Sequence, residues 1–581
     1  MGVLRFRATR LRIWGMQPAG PPGIPPVPAR LRRLLEGDGR LLPIGLVAIA
    51  AVAAYINTLD NSFVYDDIPQ VVNNPWIRDV SFLRDAFTSN VWTFQGTATN
   101  YYRPMMHAVF MATHHLFGLS PTGFHVVNVL LHAVSSILVY LLLGRLVREP
   151  GPGAVSSLVS PPLVGAILFA VHPIQTEAVA WVSALPELLF SFFALLSLLL
   201  FTAQREGPGA GAGVAIVSAG FFLLAALSKE TALSLLPLFA ALELVLPERR
   251  STPATLVKRL LPPAAAAAVY FVMRLNALGA LAPLRRHMEL SHAQVLLNGI
   301  HLFAGYLGKL LWPLPLTVYH PFESLTSFLA PAAIAALAAC SAFAGLCALA
   351  WRHNRPALLG LLFVAVPLLP VLYAPALGEN VFSERYLYFP SVGLALFAAA
   401  LLSRTRIRRR GPAAALGAIV LVAAGLCLTG TIRRNAAWKD DLTLWTDAVG
   451  KAPGSAVPHY NLGCHLLAAG RIDEAIDSLR TAIRIAPAAI AHTSLGSAYE
   501  VKGMLEEAIE QHRLALRLAP RDPEAHFRLG TVLAAVGRRE EAIGYLETAV
   551  LLDSSNARFR EGLRGASTPG VPQASGHAPG H

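Results

Sequence analysis

The sequence predicts an all-α protein in two parts, a polytopic transmembrane helix bundle followed by an α-solenoid of short helical repeats. The chain has 581 residues, of which 54% are hydrophobic and only 14% are charged, whereas soluble domains contain about 25% charged residues. Mean hydropathy is +0.50. Apolar runs long enough to cross a bilayer recur through the first 430 residues, and a repeat of 33 to 34 residues follows them.

The apolar runs define a transmembrane domain over residues 41–430. Before it, residues 1–40 are rich in Arg, Pro and Gly and predict a disordered, basic cytoplasmic tail rather than a signal peptide. The run 41–56 is then the first span. Eleven further runs have spanning or near-spanning length and lie at 122–143, 162–182, 185–203, 212–228, 229–246, 262–279, 293–312, 328–351, 357–374, 387–402 and 412–430.

Arginine-rich segments predict the side of the membrane on which each part lies. The basic tail and the loop 403–411, which contains five arginines, are both assigned to the cytoplasm. An odd number of crossings cannot return a chain to the same side, so one of the twelve runs must not span. The runs within 212–246, interrupted by a Ser-Lys-Glu triplet, and the weaker run 293–312 are the two candidates. The prediction of about 11 spans places the loop 57–104 and everything after the last span on the extracytoplasmic side.

Composition and motifs argue against several classes of function. The net charge is +13, but the basic residues cluster beside apolar runs, where they determine topology, so nucleic-acid binding is not expected. The four cysteines include no CxxC pair, so neither a disulfide framework nor a zinc site is predicted. No P-loop, dinucleotide fingerprint, G-x-S-x-G or H-E-x-x-H stands in a suitable context, so ATP-driven transport and hydrolase chemistry gain no support.

The C-terminal repeat is the clearest pattern in the chain. Three x-Leu-Gly triplets begin at residues 461, 494 and 528, and glycines at 470, 503 and 537 keep the same interval. This is the pattern of tetratricopeptide repeats, helix-turn-helix units of about 34 residues. At least three repeats, with a partial one at 438–452, define a repeat domain over 431–565, and a disordered tail is predicted for 566–581. Such an array offers a groove for a peptide or partner protein but performs no chemistry.

The loop 57–104 contains the residues of greatest chemical interest. Its stretch NSFVYDDIPQVVNNP holds the adjacent carboxylates Asp66 and Asp67, which suit neither membrane anchoring nor a lipid-facing surface. The stretch 101–118, rich in aromatic residues, Met and His, predicts an amphipathic helix at the membrane interface. A loop packed on the membrane in this way can roof an intramembrane cavity. Capping of a helix N-terminus is the alternative interpretation of the aspartates.

Several motifs in order give the chain a family resemblance. They are YDD at 65–67, YRP at 102–104, HPIQTEAVAW at 172–181, SKE at 228–230, ERYLYFP at 384–390 and RNAAWKDDLTLW at 434–445. In this combination the chain resembles the transmembrane and tetratricopeptide-repeat O-mannosyltransferases, which belong to the GT-C class of polyprenyl-phosphate-sugar-dependent glycosyltransferases. The resemblance covers nearly all of residues 41–560. The chain has fewer repeats than the animal members, and its Ala/Arg/Gly-rich composition favours a bacterial homologue.

The resemblance implies a catalytic carboxylate in the first extracytoplasmic loop, acting as general base on the acceptor hydroxyl. Asp66 and Asp67 are the candidates, and the sequence does not decide between them. Each raises the proton affinity of the other, as like charges do, and a low-dielectric cavity would move one toward the neutral pH at which a base works best. The second aspartate would orient the first or help to bind a divalent cation. Whether the protein uses such a cation is left open by the sequence.

Cations are required for the leaving phosphate, and Arg103, Lys229 and Arg385 are the candidates because each stands beside an apolar run. Snorkelling of these side chains to lipid headgroups is the alternative. A further alternative is that the directly adjacent Glu230 and Glu384 are simply ion-pair partners of these cations. Both glutamates are predicted to line the cavity.

His172 and Glu177 are also expected to line the cavity, near an outer span end. His125, Asn128 and His132 share a face of the second predicted span. These groups lack the spacing of known zinc motifs, so hydrogen bonding inside the bundle is the preferred interpretation over a metal site.

The sequence therefore predicts a membrane glycosyltransferase that moves a sugar, with mannose expected, from a polyprenyl-phosphate carrier to a protein hydroxyl by one inverting displacement. The repeats would present the acceptor. The membrane would be the bacterial inner membrane, with repeats in the periplasm or outside, or the endoplasmic reticulum in a eukaryote. Two alternatives stay open, a non-enzymatic membrane-anchored repeat scaffold and a lipid-linked glycan ligase or polymerase.

Overall fold

All regular secondary structure that a computed structural model of the chain describes is helical, which confirms the predicted all-α class. The predicted tail 1–40 lies outside the described residues, and so does most of the predicted tail 566–581. The structure describes residues 41–97, 99–147, 160–204, 212–246, 252–280, 289–373, 375, 380–405 and 410–568.

The membrane domain is built from helices that match the predicted apolar runs. The runs at 162–182 and 229–246 each contain a break, and the second begins as the 3₁₀ turn Glu230–Ser234. The α-helices are α1 Leu41–Tyr55, α2 Leu83–Thr88, α3 Pro104–Phe117, α4 Pro121–Leu146, α5 Pro161–Val171, α6 Thr176–Ala180, α7 Leu185–Ala203, α8 Ala212–Ser228, α9 Leu235–Val245, α10 Pro253–Leu278, α11 His292–Leu311, α12 Pro331–His353, α13 Arg355–Leu368, α14 Pro390–Leu402 and α15 Arg410–Asn435.

Seven helical segments in the described part of the chain are long and apolar enough to cross a membrane, and an eighth is formed if α5 and α6, bent by 47°, count as one. The protein is therefore a multi-pass membrane protein. The predicted count of about 11 is not reached by this criterion, because α8, α9 and α14 are shorter than 18 residues and α11 is not among the segments that qualify. Both runs suspected of not spanning, 212–246 and 293–312, contain helices that fail the criterion.

Burial distinguishes central helices from peripheral ones. Helices α4 and α7 are the most buried of the seven long segments, and α12 and α15 are the least buried. The central α4 packs against α1, α5 and α7, and their apolar side chains form one continuous core. The exposed apolar surfaces of α12 and α15 suit lipid, in which hydrocarbon side chains need no protein cover.

Helices α13 and α14 cross at two facing glycines, where any side chain would collide with backbone. An added Cβ at Gly393 would lie 2.6 Å from the amide nitrogen of Val364 and closer still to the carbonyl oxygen of Gly360. We expect Gly393→Ala to destabilise the detergent-solubilised protein by about 1–3 kcal/mol, because backbone atoms cannot rotate away. Thermal unfolding measures this. The control is Gly345→Ala on α12, where a Cβ meets nothing within 4 Å; equal unfolding temperatures for the two variants would contradict the crossing.

The repeat domain continues directly from the last membrane helix through the 3₁₀ turn Ala436–Trp438. Its α-helices are α16 Asp441–Lys451, α17 Ala456–Ala468, α18 Ile472–Ile485, α19 Ala489–Lys502, α20 Leu505–Leu518, α21 Pro523–Ala535, α22 Arg539–Leu552 and α23 Ala557–Ser567. From α17 to α22 they pair as three helical hairpins. The last helix ends at Ser567, two residues past the predicted domain end at 565.

The repeated glycines have a defined role in these hairpins. Gly470, Gly503 and Gly537 have φ angles of +74°, +81° and +82°, the left-handed conformation that residues with a side chain adopt at a cost. Each lies in the short turn between the two helices of a hairpin. The 33- to 34-residue glycine interval in the sequence therefore marks successive turns of the array.

Candidate functional site

A cavity of about 340 Å³ lies where the segments connecting the membrane helices meet the repeat domain. The loop after α1, the start of α7 and the segment between α11 and α12 form parts of its wall. Trp445 on α16 and Val457 on α17 complete the wall from the repeat domain. The polar lining residues are Asp66, Gln70, Arg103, Ser183, Glu187, Asn380 and Arg385, and the aromatic ones are Tyr65, Trp92, Tyr101, Trp181, Tyr319, Tyr386 and Trp445.

Asp66 belongs to the lining of this cavity. Burial raises the pKa of its carboxyl group to about 6, although the positive charge of Arg385 opposes the rise. The backbone carbonyl of Asp66 accepts a hydrogen bond from the amide of Gln70 at 2.9 Å. A carboxylate with this pKa can exchange a proton near neutral pH, which is the property required of a general base.

Asp67 points the other way and is wholly buried. Its Oδ1 accepts hydrogen bonds from the amide and the hydroxyl of Ser183, at 2.7 and 2.5 Å, and its Oδ2 accepts from the amide of Val64 at 3.1 Å. Burial raises its pKa to about 7, against the effect of these hydrogen bonds, and the neighbouring Asp66 adds to the rise. The two aspartates therefore occupy different environments, one on the cavity and one inside the protein.

The capping interpretation does not hold for Asp67. Asp67 occupies the N-cap position of the turn Ile68–Val72, but its side chain makes no capping hydrogen bond there. Its bond to Val64 runs backward along the chain, and its bonds to Ser183 cross 116 residues of sequence. The carboxylate of Asp67 therefore ties the loop to the start of α7.

The three predicted cations are all paired with carboxylates. Arg103 donates from Nη2 to Glu230 at 2.9 Å and from Nε at 3.3 Å. Arg385 forms an ion pair with Glu177, whose second oxygen also accepts from the Arg385 amide at 3.0 Å. The ammonium group of Lys229 pairs with Glu187. Arg103 and Arg385 line the cavity and keep 20% of their side chains exposed, whereas Lys229 lies behind the wall.

Of the two carboxylates suggested as ion-pair partners of these cations, Glu230 has that role, although its partner is not its sequence neighbour. Glu230 binds Arg103 rather than Lys229. Glu384 binds neither cation; it accepts from the amide of Thr317 and from Nε2 of His320, each at 2.7 Å. Adjacent residues in a short turn point in different directions, so the contacts form with distant segments.

The four polar residues predicted to line the cavity, His172, Glu177, Glu230 and Glu384, are not among the residues that line it. Glu177 and Glu230 hold the two lining arginines, and Glu384 holds the segment between α11 and α12. His172 accepts from the amide of Ile174 at 3.3 Å and caps the turn after the bend between α5 and α6. Of the four, Glu177 and Glu230 therefore position lining residues.

The described residues do not fit a divalent-metal site. Within them, no group of three or more His, Cys, Asp or Glu side chains is placed to hold an ion. Both oxygens of Asp67 are already engaged in hydrogen bonds. His132 contacts the hydroxyl of Tyr388 at 2.9 Å and the carbonyl of Ala170 at 3.0 Å, and Asn128 donates to the carbonyl of Trp181 at 3.1 Å. His132 and Asn128 therefore make the hydrogen bonds inside the bundle that were preferred for them.

Several lining residues were not singled out from the sequence. Ser183 anchors Asp67, and Tyr386 lies under both Lys229 and Arg385, with its ring centroid 4.4 and 5.1 Å from their charged groups. Glu187 was also missed. The sequence could have indicated this residue, because a lone carboxylate inside an apolar run needs a partner. The aromatic lining residues could not be assigned to the cavity from the sequence, because tryptophan and tyrosine are common at membrane interfaces.

Comparison with known proteins agrees with the repeat assignment. Two family models described as tetratricopeptide repeat match residues 460–523 and 523–556. Among solved structures, the first tetratricopeptide-repeat domain of Spaghetti (RPAP3) bound to an HSP90 peptide is 26% identical over 19% of this chain and 90% of its own, with a TM-score of 0.19.

Curated relatives extend over most of the chain. A protein O-mannosyl-transferase of Caenorhabditis elegans, F38B6.6, is 26% identical over 464 residues, which cover 75% of this chain. The human protein O-mannosyl-transferase TMTC1 is 28% identical over 515 residues and 77% of this chain. The chain is a homologue of the transmembrane and tetratricopeptide-repeat protein O-mannosyl-transferases. This homologue spans less than two thirds of those relatives, 62% of the worm protein and 56% of the human one.

Proposed function

We propose that this protein is a membrane glycosyltransferase that transfers a sugar, with mannose expected, from a polyprenyl-phosphate carrier to a hydroxyl group of a protein acceptor on the extracytoplasmic side. The observation that carries the proposal is one cavity lined by a carboxylate with a raised pKa and by two arginines. A base and a phosphate-binding pair are the two elements that this reaction needs. The homologous proteins are named as O-mannosyl-transferases.

In the proposed reaction Asp66 accepts the proton of the acceptor hydroxyl as its oxygen attacks the anomeric carbon. The bond between that carbon and the phosphate oxygen breaks, and the lipid phosphate leaves with the bonding electrons. The configuration at the anomeric carbon inverts because the attack and the departure occur on opposite faces. No nucleotide sugar takes part.

Arg103 and Arg385 would bind the phosphate. A guanidinium group offers several donors in one plane, so each arginine can keep its carboxylate partner and still turn an N–H toward a phosphate oxygen. The partners Glu230 and Glu177 hold the two groups in place before the donor arrives. Lys229, behind Tyr386, adds positive charge to the same wall.

The same geometry weighs against the alternatives. A scaffold gives no physical reason to gather a buried carboxylate and two arginines around one cavity. A glycan ligase acting on a lipid-linked acceptor would not need the repeat domain at the site, yet Trp445 and Val457 line the cavity. This arrangement favours a protein acceptor that reaches the site beside the repeats.

A donor panel tests the proposal. Purified full-length protein is incubated with labelled monosaccharides carried on polyprenyl phosphate, among them mannose, glucose and galactose, with membrane proteins as acceptors. We expect protein-linked label from one of these donors and none from the corresponding nucleotide sugars. Failure of every lipid-linked donor would favour the scaffold, and label found only in glycolipid would favour the ligase.

The pH dependence of transfer is a second test. Since burial raises the pKa of Asp66 to about 6, its carboxyl group is protonated at lower pH and cannot accept a proton. We expect kcat to fall about tenfold for each pH unit below that pKa and to level off above it. The rate is measured at saturating donor from about pH 3 to 8, which includes the ordinary aspartate pKa. A fall in kcat centred near the ordinary aspartate pKa of about 3.9 would argue against a buried base. A fall centred near pH 7 would point to Asp67 as the base.

A further inference from the structure

Tyr65, the residue before Asp66, has an unusual backbone. Within the described part of the chain, only this residue other than glycine has a positive φ, of +52°. A side chain in the left-handed region is energetically unfavourable and persists only where the surrounding structure holds it. The contacts of Tyr65 therefore show what determines the conformation of the YDD segment.

The first helix of the repeat domain supplies two of those contacts. The amide of Tyr65 donates a hydrogen bond to Oδ1 of Asp441 at 2.8 Å. The ring of Tyr65 packs edge-on against Trp445, with centroids 5.3 Å apart, and stacks on Trp181 at 5.7 Å. Asp441 and Trp445 are four residues apart on α16, so they lie on one face of that helix. A single helix thus holds both the backbone and the ring of Tyr65.

Other contacts fix the position of α16 itself. The amide of Ser62 donates to the carbonyl of Lys439 at 2.9 Å, just before the helix begins. At its far end Lys451 pairs with Asp447 at 2.6 Å and donates to the carbonyl of Leu316 at 2.6 Å. The helix is therefore attached both to the YDD loop and to the segment between α11 and α12 that lines the cavity.

Asp66 stands between two fixed neighbours. Ser183 holds Asp67 on one side, and Asp441 holds Tyr65 on the other. We propose that Asp441 is a positioning residue, through which the repeat domain keeps Tyr65 in its left-handed conformation and so directs the Asp66 carboxylate into the cavity. This inference rests on the proposed function of Asp66.

The expected consequence is that loss of the Asp441 acceptor lets Tyr65 relax to an ordinary backbone conformation. Asp66 would then be displaced from the acceptor, while Arg103 and Arg385, held by other partners, would still bind the donor. The defect should therefore appear in kcat and not in the KM for the donor.

The test compares three variants of the full-length protein. Asp441→Ala removes the acceptor, and Asp441→Asn keeps an oxygen at the same position. Asp440→Ala is the matched control: Asp440 caps the same helix by accepting from the amide of Thr443 at 2.8 Å, and its replacement weakens the helix without removing the acceptor of Tyr65. Transfer kinetics are measured together with amide hydrogen exchange of residues 62–70.

For Asp441→Ala we expect kcat to fall by about a hundredfold, the scale of a 1 Å misplacement, with the donor KM unchanged and with faster exchange in 62–70. Asp441→Asn should restore both properties, and Asp440→Ala should change neither. The proposal is overturned if Asp441→Ala transfers like the wild type, if Asp441→Asn is as impaired as Asp441→Ala, or if Asp440→Ala is equally impaired. Should the wild type transfer no sugar, the proposed function fails, and the exchange rates alone decide whether Asp441 holds the loop.

Discussion

Replacing Asp66 with asparagine is expected to lower sugar transfer by about 10²- to 10⁴-fold, the contribution typical of general acid–base catalysis. Asparagine has nearly the same shape as aspartate but accepts no proton at its amide. The residue lines the cavity, and Arg103 and Arg385, proposed to bind the donor, keep their own partners, so the KM for the donor should change little. The measurement is kcat for labelled transfer at saturating donor, with thermal unfolding to verify the fold.

Two further variants make this result specific. Asp85→Asn changes an exposed aspartate of the same loop and should transfer like the wild type. Asp67→Asn places an amide –NH₂ where both carboxylate oxygens now accept hydrogen bonds, so it should lower the unfolding temperature as well as transfer. If Asp66→Asn stays active while Asp67→Asn loses transfer at normal stability, the base is Asp67.

The second large effect concerns the ion pair between Lys229 and Glu187. Their side chains are only 3% and 6% exposed. We expect Lys229→Met to destabilise the protein by about 3–5 kcal/mol, because it leaves a buried carboxylate without its cation. The unfolding temperature of the detergent-solubilised protein measures the change.

A double variant and a surface pair serve as comparisons. Lys229→Met combined with Glu187→Met should recover most of the lost stability, since two apolar side chains replace two buried charges. Lys502→Met breaks a pair with Asp473 whose side chains are 44% and 80% exposed, and surface pairs contribute little. If Lys502→Met lowered the unfolding temperature as much as Lys229→Met, burial of the ion pair would not explain the loss of stability.

The helices could be predicted from the sequence because a long apolar run in a bilayer must satisfy its own backbone hydrogen bonds, and a helix does so. The predicted runs 185–203 and 212–228 coincide with α7 and α8. The count of spans was harder to predict, because hydropathy does not reveal a bend such as the one at His172 and does not decide how many times the interrupted run 212–246 crosses the membrane. The repeats were predictable for a different reason: three units in register each repeat the same turn glycine.

The site was predictable only in part. The YDD segment and the arginines could be selected because charge beside an apolar run is costly and calls for a function. Their partners could not, since Arg103 finds Glu230 across 127 residues and Arg385 finds Glu177 across 208. Adjacent acidic residues in the sequence suggested the wrong pairs. The different environments of Asp66 and Asp67 likewise depend on Ser183, which no local pattern connects to them.

The hydrogen bond between Tyr65 and Asp441 joins residues 376 positions apart. During synthesis the YDD segment leaves the ribosome long before α16 exists, and every intervening membrane helix must be inserted before the two can meet. Under the proposed function, a chain in which α16 has not yet docked would transfer sugar about a hundredfold more slowly than the complete protein. Full activity would then require the first repeat helix to be in place, so the rate of transfer would depend on completion of the fold.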